Sequence, residues 1–308
     1  MLSFFVLVFV GWANLSFSIP QLADFDIACG KGDSYYQRPY ERCTKRFDAP
    51  GSFSFKWLGG QTHAQAFIKL REIFNEKFLN RALIETNTYR IPPIIHIIWL
   101  GSNLPEKYSK WVNSWKAHHP DWQIILWNDE LVKNINLFNQ DLYDRATNFG
   151  EKSDILRCEL LFQFGGLYVD TDFECLKPFD ELHKYCDFFA GMIPVDAFSV
   201  NDDGSGVLLG SALMGSIPGH PFMETMLHNM QRFKNEPGIV TRTGPWLLTR
   251  SFFEYAPEDQ LISVIFPPTY FYPINSPYIQ QAGKGYSHNY IKNETYAIHW
   301  WEASWAKE

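Results

Sequence analysis

Glu151-Lys152-Ser153-Asp154-Ile155-Leu156-Arg157-Cys158-Glu159-Leu160-Leu161-Phe162-Gln163-Phe164-Gly165-Gly166-Leu167-Tyr168-Val169-Asp170-Thr171-Asp172 is the stretch on which the reading of this chain turns. Ile155, Leu156, Leu160, Leu161 and Phe164 recur at helical spacing, so the periodicity predicts a helix with one broad apolar face. Arg157 stands three and four residues after Asp154 and Ser153, which puts all three on a neighbouring polar face. Gly165-Gly166 then ends the helix, because glycine enters the left-handed C-cap conformation without penalty. Leu167-Tyr168-Val169 reads as a short buried strand that runs straight into Asp170-Thr171-Asp172.

In an extended chain, residues two apart face the same way, so Asp170 and Asp172 are expected to present two carboxylates on one side, their Cα atoms roughly 7 Å apart. Like charges at the end of a buried strand repel and lose hydration, a costly state unless something positive sits between them. A hard divalent cation, Mn²⁺ or Mg²⁺, meets that need. It takes one or two carboxylates and completes its shell with water and phosphate oxygens. On the same repulsion argument, Asp172→Asn is expected to relieve strain in the metal-free protein. An isolated Asp-x-Asp is common; the helix, glycine pair and apolar strand before this one give it weight.

The composition narrows the class. At 308 residues the chain can hold one large domain or two small ones. Its 46% hydrophobic and 17% aromatic content belongs to a folded protein rather than a disordered one. A net charge of −7, without a Lys/Arg cluster, speaks against nucleic acid as a partner. The 11 Trp and 15 Tyr supply rings of the kind that stack on sugars and bases. The five cysteines lack metal-type spacing; Cys29 with Cys43 and Cys175 with Cys186 are candidate disulfides in an oxidising compartment.

Residues 1–20 hold the apolar run Leu2–Trp12 and small residues up to Ser18, the pattern of a signal peptide or signal anchor. That points to the secretory pathway or membrane association, although the run is shorter than the about 20 residues of a span. Residues 21–90 read as irregular and then helical, with Phe67, Leu70, Phe74 and Phe78 on one stripe between Gln61 and Glu85. From residue 91 to 308 we expect a single catalytic α/β domain. Ile94–Gly101 reads as a strand buried on both faces, Glu106–His118 as a helix and Trp122–Trp127 as the next strand, the start of a βαβ unit. Ligands in such sheets sit beyond the carboxyl ends of the strands, where Trp99 falls. Further strands are expected over Asp187–Ile193 and Leu208–Met214, and helices over Pro221–Phe233 and from Pro245.

The run from Lys152 to Asp172 closely resembles the sugar-binding region, containing the DXD motif, of the alpha-1,4-glycosyltransferase group. The large clostridial glucosylating toxins are its distant relatives. Ile98-Trp99-Leu100-Gly101, Gly244-Pro245 and the C-terminal His299…Ser304-Trp305 match the same pattern. The resemblance implies a GT-A-like, Rossmann-type, mainly parallel sheet flanked by helices. It also implies a metal-dependent glycosyltransferase that moves a hexose from a nucleotide-diphosphate sugar to a glycan, glycolipid or protein acceptor, with retention. In that pattern Asp172 is the direct metal ligand, with Asp170 reaching the ribose and His299 a third ligand. Trp99 stacks on the donor base, Ser153 lies at the donor, and Ser304 and Trp305 hold phosphate oxygens. Asp154 would hold sugar hydroxyls, while Arg157 faces developing negative charge with a planar fork suited to paired oxygens. The residues alone also allow Asp154 and Arg157 to be a surface ion pair worth at most about 0.5 kcal/mol.

Two other classes compete. A haloacid-dehalogenase-like phosphatase also uses Asp-x-Asp but calls for Thr or Val two residues later, where Glu174 stands. A non-catalytic sugar-binding protein of transferase ancestry would have lost catalytic residues, yet every such position here carries a suitable one.

Overall fold

The computed structural model describes residues 24–32, 40–41, 57–79, 87–194, 206–255, 260–274 and 291–302. The segment expected to be a signal, together with Cys43, Ser304 and Trp305, lies outside them. No helix among the described residues is long and apolar enough to cross a membrane.

A six-stranded sheet forms the centre, in the spatial order β2-β1-β3-β6-β5-β7. Its strands are β1 (Ile94–Ile98), β2 (Gln123–Trp127), β3 (Gly166–Val169), β5 (Phe188–Met192), β6 (Leu209–Ser216) and β7 (Ser263–Phe266). β1 is parallel to β2 and β3, and β5 is parallel to β7. β6 is antiparallel to both of its neighbours, β3 and β5. The sheet is therefore mainly parallel with one reversed strand, as an α/β fold of this type requires. The helices are α1 (Phe25–Ala28), α2 (His63–Ile73), α3 (Glu106–His118), α4 (Asp129–Val132), α5 (Gln140–Arg145) and α6 (Phe149–Phe164). They continue with α7 (Asp180–Tyr185), α8 (Pro221–Phe233), α9 (Ile239–Arg242), α10 (Pro245–Glu254) and α11 (Pro268–Phe271).

The expected strand over Trp122–Trp127 is present as β2, at a sheet edge with Gln123 and Leu126 exposed. β1 is the buried one, and it carries His96 at its centre. The His96 Nδ1 accepts from the Trp127 indole at 3.0 Å, so its other nitrogen must donate to the Gly165 carbonyl at 2.8 Å. Burial pushes this imidazole down to about 4, which keeps it neutral and fixes that tautomer. It is a structural histidine that ties β1 to the end of α6. The N-terminal amphipathic helix starts at a capping box between Thr62 and Gln65, as α2, and passes into a π-helical turn over Phe74–Leu79. Phe74 and Phe78 from that turn pack edge-on against Phe266 of β7.

Gly165 ends α6 with φ 64° and ψ −161°, so the helix stops in a conformation beyond the left-handed C-cap that the sequence pattern suggests. A Cβ at this position would lie 2.7 Å from the Pro218 ring and 2.9 Å from the Ser216 carbonyl oxygen. Backbone strain of this kind costs about 1–3 kcal/mol before the clash is counted. Gly165→Ala should therefore lower the unfolding free energy taken from urea melts by at least that much; an unchanged midpoint would show that the turn can rearrange.

The Asp170-Thr171-Asp172 segment is a turn, not the extended end of a strand. The Phe173 amide donates to the Asp170 carbonyl at 3.1 Å across it. The chain reverses because the next residues pair elsewhere: β4 (Phe173–Cys175) forms a second, two-stranded antiparallel sheet with β8 (Ala297–His299). Cys175 and Cys186 are separate buried thiols, which corrects the second candidate disulfide. β4 directs Cys175 to the carbonyl of Lys177, while Cys186 caps α7.

Candidate active site

A cleft of about 240 Å³ opens at the carboxyl ends of β1 and β3. Trp99, Ser153, Asp154, Arg157, Asp170, Asp172 and His299 all line it. Helix α6 supplies three of them from its cleft-facing turns, the strand β3 delivers the Asp-Thr-Asp turn, and β8 brings in His299.

The centre is Arg157. Its Nη2 lies 3.0 Å from Asp154 Oδ1 and 3.3 Å from Asp170 Oδ1, and its Nη1 donates to the Ser211 carbonyl at 2.8 Å. The guanidinium carbon sits 4.6 Å over the Tyr168 ring, a cation–π contact. The Arg157 and Asp154 side chains are 7% and 12% exposed, so the surface ion-pair reading is wrong: this is a buried network. Burial works against the guanidinium charge, but the surrounding carboxylates outweigh it and hold Arg157 above its ordinary value. Most of its N–H donors are engaged by the protein, so what it offers a ligand is chiefly positive charge at fixed position.

The two carboxylates of the turn are driven apart in acidity. Burial, joined by the Asp172 charge, raises Asp170 despite the pull of Arg157. Burial also acts on Asp172, but His299 and the Glu302 amide prevail and lower it. His299 Nε2 lies 3.3 Å from Asp172 Oδ1, and the Glu302 N–H donates to Oδ2 at 2.8 Å. Pairs of titratable groups separated in this way mark functional sites. Burial pushes Asp154 up to about 6, with Arg157 and the Thr243 hydroxyl opposing the rise.

These residues fit a divalent cation. One ligating atom each from Asp170, Asp172 and His299 falls within 4.8 Å of the others, a donor set of two hard carboxylate oxygens and one borderline imidazole nitrogen. His299 Nδ1 is buried without a hydrogen-bond partner among the described residues. The same imidazole stacks on Phe173, ring centroids 4.6 Å apart, so it is packed and poised at the carboxylates at once.

Sequence reasoning missed several contributors. Tyr168, whose hydroxyl donates to Asp170, stands two residues before it on the same face of the chain, and that spacing was readable. The Glu302 N–H, the Ser211 carbonyl and Thr243 come from distant segments and carry no local signal.

Residues 105–189 match the model of the glycosyltransferase sugar-binding region containing the DXD motif. An inositol phosphoceramide mannosyltransferase of Schizosaccharomyces pombe is 31% identical over 179 residues, covering 54% of this chain and 52% of the relative. A mannosyl phosphorylinositol ceramide synthase of Saccharomyces cerevisiae is 26% identical, covering 62% of this chain and 51% of the relative. The chain thus spans about half the length of the curated relatives it matches. Among solved structures, the PaToxG glycosyltransferase is similar at 19% identity and a TM-score of 0.44, over 62% of this chain and 78% of that one. The matched region takes in β2, β3, the helix, the glycine step and the Asp-Thr-Asp turn, so the part of the chain that builds the cleft floor is similar to the glycosyltransferase sugar-binding region containing the DXD motif.

Proposed function

We propose that the protein is a metal-dependent glycosyltransferase that moves a hexose from a nucleotide-diphosphate sugar to a glycolipid acceptor. The observation that carries this is the meeting of Asp170, Asp172 and His299 beside buried Arg157 in one cleft. The activities for which the relatives are named favour mannose as the sugar and an inositol phosphoceramide as the acceptor. A retaining course follows from the family resemblance. The apolar N-terminal run favours placement in the secretory pathway.

In this reading Asp172, held charged by its partners, together with Asp170 and His299 would hold Mn²⁺ or Mg²⁺. That cation would offset negative charge on the departing diphosphate. Arg157 fixes Asp170 and adds positive charge where sugar and phosphate oxygens lie, and Ser153 stands beside it at the donor. By the same family resemblance, Ser304 and Trp305 would bind phosphate oxygens through a hydroxyl and an indole N–H. Measuring Mn²⁺-dependent hydrolysis across UDP-galactose, UDP-N-acetylglucosamine, UDP-glucose and GDP-mannose tests the reading and names the donor. A folded protein that cleaves none of them, with or without metal, would favour the non-catalytic sugar-binding alternative.

Trp99 is the base platform. One side of its indole meets Tyr108, ring centroids 5.0 Å apart, and its Nε1 donates to Ser102 at 3.1 Å, which fixes the ring at the cleft. Stacking of a base on an aromatic side chain contributes about 1–3 kcal/mol. Trp99→Ala should weaken nucleotide binding by about 5- to 150-fold in calorimetry, the equivalent of that range, with little change in melting temperature. Unchanged affinity in a folded variant would make Trp99 a packing residue.

A further inference from the structure

Ile239, Val240 and Pro245 form part of the cleft wall, on the segment that begins with α9. Two links tie this segment to α6. Arg242 makes a two-pronged ion pair with Glu151, its Nη2 2.9 Å from Oε2. Three residues further along α6, Asp154 Oδ2 accepts the Thr243 hydroxyl at 3.0 Å. Thr243 is buried, so its hydroxyl has no solvent to turn to. Its one proton faces the Asp154 carboxylate and the Ile239 carbonyl at 3.1 Å, and the charged acceptor makes the stronger bond.

The close approach depends on Gly244. A Cβ there would stand 3.0 Å from Val240 Cα and 3.4 Å from Asp154 Oδ2. With Thr243 on one oxygen of Asp154, the other faces Arg157, and Arg157 reaches Asp170. A carboxylate gripped at both oxygens cannot rotate, so the guanidinium it orients has one position.

We propose that Thr243 is a positioning residue for the transfer: by fixing Asp154 it fixes the Arg157 guanidinium against Asp170. This rests on the glycosyltransferase reading above. It extends the machinery beyond the matched region to a threonine that never touches the reacting atoms. The test is kcat and KM of the full chain, per folded molecule, on whichever donor the parent hydrolyses fastest.

Thr243→Val keeps the side-chain shape and removes the hydroxyl. Its kcat should fall about 10- to 100-fold, since small misplacements of catalytic groups have effects of that size, while donor KM stays near the parent's. Thr243→Ser should restore kcat, a rescue that a purely structural role does not predict. Thr243→Ala takes the place of the valine variant should that one not fold. In an Asp154→Asn background the valine change should add little, because residues of one network act non-additively. A Thr243→Val enzyme with the parent's kcat overturns the proposal and leaves the glycosyltransferase reading standing, as does a serine variant no faster than the valine one. A parent that turns over no nucleotide sugar overturns both.

Discussion

Asp172→Asn should lower nucleotide-sugar turnover by about 10²–10³, the usual consequence of losing one preorganised electrostatic group at a reacting centre. The amide keeps the size and one oxygen of the side chain but removes the charge that His299 and the Glu302 N–H sustain. The parent's melting temperature should climb as Mn²⁺ passes its dissociation constant, by linkage between binding and folding, and more so with a nucleoside diphosphate present. The variant's should stay flat. A parent that ignores Mn²⁺, or a variant with more than a tenth of the parent's kcat, would remove the metal from the mechanism. On stability the structure reverses the sequence argument. Asp172 is not a strained charge awaiting relief, because His299 and the Glu302 N–H outweigh burial and hold its pKa below the ordinary carboxylate value. Hydrogen bonds to charged groups contribute about 1.5–3 kcal/mol, so the metal-free variant should be less stable than the parent by up to that amount.

Arg157→Met should have the largest effect on folding. It deletes the cation that Asp154 and Asp170 share, leaving Asp154 unpaired in the interior and Asp170 without that partner at the half-buried cleft floor. Breaking a buried ion pair by removing one partner costs about 3–5 kcal/mol. The sign of its pH dependence follows from the acids left behind. Asp154 already stands at about 6 with the guanidinium beside it, and without it both carboxyls must rise further. A carboxyl raised in the folded state favours folding at low pH. That stability is lost as pH climbs from the unfolded value of about 4 through the folded one. Urea melts should therefore show a smaller gap between variant and parent at pH 5 than at pH 8. A gap that widens on acidification would mean that the two acids find other partners. Turnover should fall with stability, since Asp170 would no longer be held.

What the sequence revealed was mostly local. Glu106–His118 and Pro221–Phe233 form helices with the expected boundaries, because each shows helical periodicity between clear stop signals. β1 was legible from an apolar run flanked by Pro93 and Gly101. The direction of β6 was not. Alternation and burial give the faces of a strand but not which end meets its neighbour, and only pairing with β3 and β5 decides that. The same limit hid the Asp-Thr-Asp turn. Strand spacing correctly paired the two aspartates, for an incorrect reason: the chain turns there because Phe173 must reach β8. The burial of Asp154 and Arg157 was illegible too, since an i,i+3 pair looks alike on a surface and beneath a neighbouring segment.

The small β4–β8 sheet has a consequence in time. Asp172 and Glu302, which it brings into contact, are 130 residues apart in the chain. Closing so long a loop is entropically unfavourable, and contacts of this separation form late. A growing polypeptide therefore carries its aspartate pair through more than a hundred further residues of synthesis without the histidine that completes the cluster. Through that interval it has neither the cluster's third donor nor the closed cleft. The order of the genetic message itself delays the appearance of a competent site until nearly all of the described sheet has been made.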